Sequence, residues 1–492
     1  MVDSRHSICS RWIFNKAPRS LSESIHSGSP SPDSTGSIPR LAAKLNLFDA
    51  TMIVMGGIVG SGIFINPYVV ATIVHTPASI LAAWIAGGAI ALVGAFIYAE
   101  LADRMPKVGG QYAYLREAYH PLIGFLYGWS ALLVIHAGGT AAVAVTFAKY
   151  FRVLTHSGAS DNATAVVAIV ALVMINCLGV RAGSGVQSGF MLLRIAAILM
   201  IVGFGSWFLL RSPIGRDTSW QPILEQAPSF GLLSAFGAAM VPVLFGYGGW
   251  QTSNYIAGEI REPRKNLPRA LVLGVLGIIA LYLTVNFVYV QALSPAGLAA
   301  TATPATSVMR LAFGNRGASL VAALIAISTL GFLSQAMLSY PRMYFAVAAD
   351  GLLPSRFARL SERTRVPVAT IILQGAVTIA VVLLGTYEQI LSYVVVMDWL
   401  FFGLTATCIF VFRARDERKP SVKEAETVKG SRVPGHPWTT ALFISVAWLV
   451  TINTIYKYPR NAGVALCILF AGVPFYYLFH GRSQRSNGSE SS

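Results

Sequence analysis

Runs of about twenty apolar residues, the length that carries an α-helix across bilayer hydrocarbon, recur along this 492-residue chain from Leu47 to His480. They read as 47–70, 78–101, 121–149, 163–181, 186–210, 231–258, 269–291, 317–347, 368–386, 390–412, 438–456 and 462–480. In hydrocarbon a spanning backbone must satisfy its own N–H and C=O groups, so repeated runs of this length dictate helices. Composition agrees, with 54% hydrophobic and only 12% charged residues, about half the ~25% of an ordinary soluble protein. Too little polar surface remains to cover a globule. That excludes a soluble enzyme, a nucleic-acid binder and a disordered regulator. The expected fold is an all-α polytopic membrane protein of 12 transmembrane helices.

The net charge of +16 is explained by where the cations fall. With each intramembrane cation assigned to its nearest loop, 29 of the 37 Lys and Arg fall on the side shared by both termini, and 8 on the other. The positive-inside rule then puts both termini in the cytoplasm, and no nucleic-acid partner is needed. Residues 1–46 are rich in Ser, Pro and Arg without a signal-peptide core, and are expected to be a disordered cytoplasmic tail. A transporter core at 47–412 follows, then a basic cytoplasmic loop at 413–437, two final spans within 438–480 and a cytoplasmic tail at 481–492. Cys9, Cys177, Cys408 and Cys467 are scattered and form neither a zinc spacing nor a disulfide framework. No cofactor or metal is expected. A membrane-embedded enzyme finds no HExxH or GxSxG run to support it.

Two spans are interrupted in the same way. The first contains Gly56-Gly57-Ile58-Val59-Gly60-Ser61-Gly62, and the sixth contains Phe245-Gly246-Tyr247-Gly248-Gly249-Trp250. They occupy matching places in two five-span halves, at about 47–210 and 231–412, and an odd number of spans per half inverts the second. Paired glycine-broken segments of this kind point to a transporter's midplane site. Other glycines, such as Gly87-Gly88 and Gly138-Gly139, are expected only to let helices pack closely.

A break frees N–H groups at the start of one half-helix and C=O groups at the end of the other. A ligand with one carboxylate and one ammonium answers both. Its carboxylate suits the positive helix start near Gly60, Ser61 and Gly62. Its ammonium suits carbonyls around Ile58, Phe245 and Gly248. The chemistry favours an α-amino acid.

At these motifs the chain resembles the amino acid–polyamine–organocation transporters, most closely their L-type amino acid transporter branch. The stretches that carry the resemblance are GGIVGSGIF (56–64), YAELADRMPKVGGQYAYLREAYHP (98–121), LFGYGGWQTSNYIAGEIREPRKNLPRA (244–270) and PRMYFAVAADGLLP (341–354). The resemblance implies a five-plus-five inverted repeat with discontinuous helices 1 and 6, two extra C-terminal helices and alternating access. It also implies a substrate carboxylate held at Ile58, Ser61 and Gly62, and an amino group held at Phe245, Gly246 and Gly248. Phe245 would gate the substrate, with Trp250 in the aromatic wall.

Three departures from the family accompany the match. Arg194 stands where these transporters usually have Lys, at a place where sodium-driven members bind their ion, which implies sodium independence. The loop 151–162 lacks the cysteine that joins eukaryotic members to a heavy subunit, so no disulfide-linked partner is expected. Gln251 stands where Asn is common.

Ionisable residues inside spans are costly and often functional. Glu100, His136, Asp398 and, just past the sixth span, Glu259 are therefore gating or coupling candidates, each with a structural alternative. No acidic residue accompanies the paired breaks, so neutral L-amino acids are the expected substrates of a secondary transporter. A cationic amino acid or polyamine antiporter, or a non-transporting amino-acid sensor, is the alternative. The expected setting is a bacterial inner membrane.

Overall fold

The computed structural model describes residues 45–105, 109–156, 158–178, 183–211, 220, 223, 229–364, 366–418 and 431–489. The expected N-terminal tail up to residue 44, and residues 419–430 of the basic loop, lie outside them. Span 1 is two helices, α1 (Leu47–Ile58) and α2 (Gly62–Ala71), and span 2 is α3 (Pro77–Arg104). A short α4 (Gln111–Ala118) precedes span 3, built from α5 (Pro121–Ser130) and α6 (His136–Thr155). Spans 4 and 5 are α7 (Asp161–Cys177) and α8 (Gly183–Arg211). Span 6 is α9 (Phe230–Tyr247) followed by a 3₁₀ segment, Trp250–Glu259. Then come α10 (Pro263–Ala299), α11 (Pro304–Ala349), α12 (Val368–Leu384), α13 (Tyr387–Arg418), α14 (Trp438–Lys457) and α15 (Pro459–Ser489). Among the described residues nine segments are long and apolar enough to cross a membrane, and Asp161–Cys177, Leu192–Phe208 and Val368–Leu384 are shorter apolar helices. Together they occupy the twelve spans read from the sequence.

Local chemistry sets where the helices begin. Asn46 accepts from the Asp49 N–H at 2.9 Å while Asp49 accepts from the Asn46 N–H at 3.0 Å, a reciprocal capping box for α1. Thr76 caps Ser79 ahead of Pro77, and Ser160 and Ser229 cap α7 and α9 through Ala163 and Leu232.

The two halves of the core repeat. Helix α1 packs on α10 as α3 packs on α9, and α6 on α12 as α11 on α7. Likewise α8 meets α11 as α13 meets α6, and α8 meets α10 as α13 meets α3. Each pair becomes the other when a span is exchanged for the one five places on. Five is odd, so the halves are inverted about the membrane plane.

The structure adds elements that hydropathy did not mark. Between spans 2 and 3, α4 buries Tyr112, Tyr114 and Leu115. Its Tyr112 hydroxyl donates to Asp350 at 2.6 Å, beside an Arg116–Asp350 ion pair, and so ties α4 to the end of α11. Burial, reinforced by the bonded Asp350 carboxylate, holds the Tyr112 hydroxyl well above its ordinary pKa, so it remains the donor. Helix α11 starts thirteen residues before the expected 317, with a non-helical turn at Gly314. The backbone helix of α15 runs to Ser489, through most of the expected tail.

Candidate functional site

The two breaks face each other at the centre of the bundle. Helix α1 ends at Ile58, Val59 leaves helical geometry (ψ 83°), and α2 restarts at Gly62. Helix α9 ends at Tyr247, Gly248 is extended, and Gly249 takes φ 107°, a conformation that glycine adopts without strain. The approach leaves no room for side chains. A Cβ built on Gly57 would lie 2.5 Å from Thr252 Oγ1 and 2.7 Å from the Gly249 carbonyl, and one on Gly62 would overlap Gly246 Cα.

Peptide groups at the breaks are free for a ligand. Among the described residues the N–H groups of Ser61, Gly62 and Ile63 find no hydrogen-bond acceptor, and the Gly248 carbonyl finds no donor. The Phe245 carbonyl accepts only from Gly248 N at 3.2 Å, which leaves a lone pair. Ser61 Oγ lacks a partner of good geometry, although the Tyr387 hydroxyl is near enough to interact with it. A cluster of donors thus meets a cluster of acceptors across one cavity of about 600 Å³, counting its open mouth. Unsatisfied backbone at this depth is tolerated only where it lines such a space.

Of the residues expected to bind substrate, Ile58, Gly60, Ser61, Gly62, Phe245, Gly248 and Gln251 line this cavity. Gln251 also folds back on the break, its Oε1 accepting from Gly249 N at 3.1 Å. Two expected residues are placed elsewhere. Gly246 is where α9 touches α2, and it packs on Trp84. Trp250 is fully buried behind the cavity, stacked 5.1 Å from Phe402 and edge-on to Tyr98, because the 3₁₀ turn points it away from the break. The aromatic wall comes instead from Phe332 and Tyr340 on α11 and Trp399 on α13.

Arg194 is 2% exposed and bridges α1 and α11. Its Nη1 donates to the Gly56 carbonyl at 2.9 Å and its Nε to the Ser328 carbonyl at 3.1 Å, with Phe332 beneath the guanidinium. Bonds from a charged donor contribute about 1.5–3 kcal/mol each. Their acceptors are the last turn of α1, where the helix dipole is negative, and the middle of α11.

His136 and Asp398 also reach the cavity. A π-turn at Ala131–Ile135 joins α5 to α6 immediately before His136, and such a turn rotates the residues that follow relative to a regular helix. The imidazole stacks on Tyr340 (3.9 Å, 7°), bonds the Tyr344 hydroxyl at 2.9 Å through Nδ1 and meets the Tyr255 hydroxyl at 3.4 Å through Nε2. Gly139, one turn on, lines the cavity with nothing within 4 Å of a built Cβ. It is part of the site rather than a packing contact. Gly138, against Val394, does pack.

Glu100 is not at the cavity. Fully buried at the end of α3, it accepts from Arg104 Nε (3.0 Å), Arg413 Nε (2.9 Å) and Nη2 (2.7 Å), and Val433 N (2.8 Å). Arg104 also pairs with Asp416. The side chain of Glu259 lies outside the described residues.

Comparison with known proteins matches residues 45–480, from the first capping box to the last span, to the amino acid permease family. The chain belongs to that family. This permease is 28% identical over 445 residues to the serine/threonine exchanger SteT of Bacillus subtilis (strain 168), covering 89% of the chain and 97% of SteT. It is 28% identical over 471 residues to the human large neutral amino acids transporter small subunit 2, covering 92% and 83% of the two chains. The mouse b(0,+)-type amino acid transporter 1 matches at 28% over 452 residues, covering 89% and 88%. All three are named as transporters or exchangers rather than enzymes. The permease is accordingly a helical integral membrane protein for amino acids.

Proposed function

We propose that this permease exchanges neutral L-amino acids across a bacterial inner membrane by alternating access, independently of sodium. The observation that carries the reading is the facing pair of breaks. Free N–H groups at Ser61 and Gly62 suit a carboxylate, and free carbonyl capacity at Phe245 and Gly248 suits an ammonium, within one cavity. Among the described residues, those that line it fall between Gly57 and Trp399, which supports spans 1–10 as the transport core. Names of relatives agree in kind, two of them speaking of serine and threonine or of large neutral amino acids.

Arg194 supports sodium independence. A guanidinium stays charged over the whole working range, and here it donates to carbonyls of α1 and α11, the helices between which sodium-driven members of the wider superfamily hold their ion. The loop at 151–162 offers no cysteine to a heavy subunit. The excess of Lys and Arg in alternate loops supports a cytoplasmic position for both termini.

Counterflow into proteoliposomes tests the reading. Vesicles preloaded with unlabelled leucine, threonine or alanine should accumulate the labelled partner, at the same rate in sodium and in choline buffer. Several-fold stimulation by sodium would overturn the ion assignment, and no accumulation with any amino acid would overturn transport.

A further inference from the structure

The breaks account for the α-carboxylate and α-ammonium of a bound amino acid, and leave its side chain to the rest of the cavity. Most of that wall is apolar: Ile135, Val143, Phe332, Val394, Val395 and Trp399. Its polar members away from the first break, where Ser61 lies, are largely engaged. His136 uses both ring nitrogens, on Tyr344 and Tyr255, and Gln251 Oε1 is held by Gly249 N. Arg194, the nearby buried cation, is committed to two carbonyls of α1 and α11.

Asp398 is different. It lines the cavity from α13, its Oδ1 is shut away without a hydrogen-bond partner, and no ion pair reaches it among the described residues. A buried acceptor left unpaired is costly, and a ligand that supplies the missing donor recovers that cost. The sequence carries this acid on a span remote from both breaks, which is why no acidic residue is expected beside them from sequence alone.

Resting on the transport reading above, we infer that Asp398 is the side-chain specificity residue of this site and selects amino acids whose side chain donates a hydrogen bond. A hydroxyl is the smallest such group, and a side-chain amide belongs to the same class. Either protonation state of the carboxyl accepts a donated hydrogen bond, so the selection does not depend on its charge. A purely aliphatic side chain of equal volume leaves the acceptor stranded, and sites built to bond a hydroxyl discriminate strongly against analogues that lack it.

Threonine and valine differ by one hydroxyl for one methyl and make the probe. In proteoliposomes the wild-type protein should prefer threonine to valine in competitive counterflow by roughly ten-fold or more. Asp398→Leu should abolish or invert that ratio. Asp398→Asn keeps a carbonyl acceptor and should retain part of the preference. Detergent-solubilised wild-type protein should be protected against heat more by threonine than by valine, a measurement that needs no variant. Equal handling of the two amino acids by the wild type, or an unchanged ratio in Asp398→Leu, overturns the inference and leaves the transport reading standing. Failure of the wild type to exchange any amino acid sinks the transport reading itself.

Discussion

Replacing Gly57 by Ala tests whether the two breaks touch as described. Two effects of opposite sign compete. Gly57 lies in the last turn of α1, and Ala is favoured over Gly in a helix by about 0.8–1 kcal/mol. Against this, the new methyl would lie 2.5 Å from Thr252 Oγ1 and 2.7 Å from the Gly249 carbonyl. The hydroxyl can rotate, but the carbonyl belongs to a backbone already turned to φ 107° and cannot retreat without moving the break. Overpacking of a tight interior costs about 1–3 kcal/mol, and a backbone obstacle argues for the upper half of that range. The net is a loss of about 1–2 kcal/mol, which depopulates the conformation with touching breaks by roughly 5–30-fold. Gly203→Ala on α8 is the control, since nothing lies within 4 Å of its built Cβ and only the helix term acts. Counterflow rate and melting temperature in detergent should both fall for Gly57→Ala, and neither should fall for Gly203→Ala. If Gly57→Ala matches the wild type in both, the close approach of the breaks is wrong.

Two further variants probe the supports of the site. Glu100→Gln takes the shared carboxylate from Arg104 and Arg413 and leaves two guanidinium groups facing each other. Breaking a buried pair costs about 3–5 kcal/mol, and the 24% exposure of both arginines places this one near the lower end; the melting temperature should drop clearly, and an unchanged value would refute the clamp between α3, α13 and residue 433. Arg194→Met removes both bonds to Gly56 and Ser328 while keeping an unbranched apolar chain, so counterflow should fall at least ten-fold, with Arg194→Lys recovering part of it. Full activity of the Met variant would show that the bridge between α1 and α11 is dispensable.

The local signals in the chain were strong where chemistry is local. Apolar runs fixed the number and the ends of the spans to within a few residues for most helices, because burying a backbone in hydrocarbon admits little else. Asn46, Thr76, Ser160 and Ser229 mark helix starts in the way their short polar side chains dictate. Helix α4 escaped this reading because, with Gln111, Arg116 and Glu117, it is too short and too polar for a hydropathy window, although its buried tyrosines anchor it.

What the amino-acid sequence determined by itself was a helical membrane protein in two inverted halves, with a pair of glycine breaks whose exposed peptide groups suit a zwitterion. That much follows from spacing and from the hydrogen-bonding demand of each break. Only the tertiary structure decided which side chains surround them. In a span apolar on every side no amphipathic face reports the helix's rotation, so the inward turn of Gly139, His136 and Asp398 and the outward turn of Trp250 were settled by packing between helices. The same packing brought Phe332, Tyr340 and Trp399 into the wall from spans hundreds of residues away from the first break.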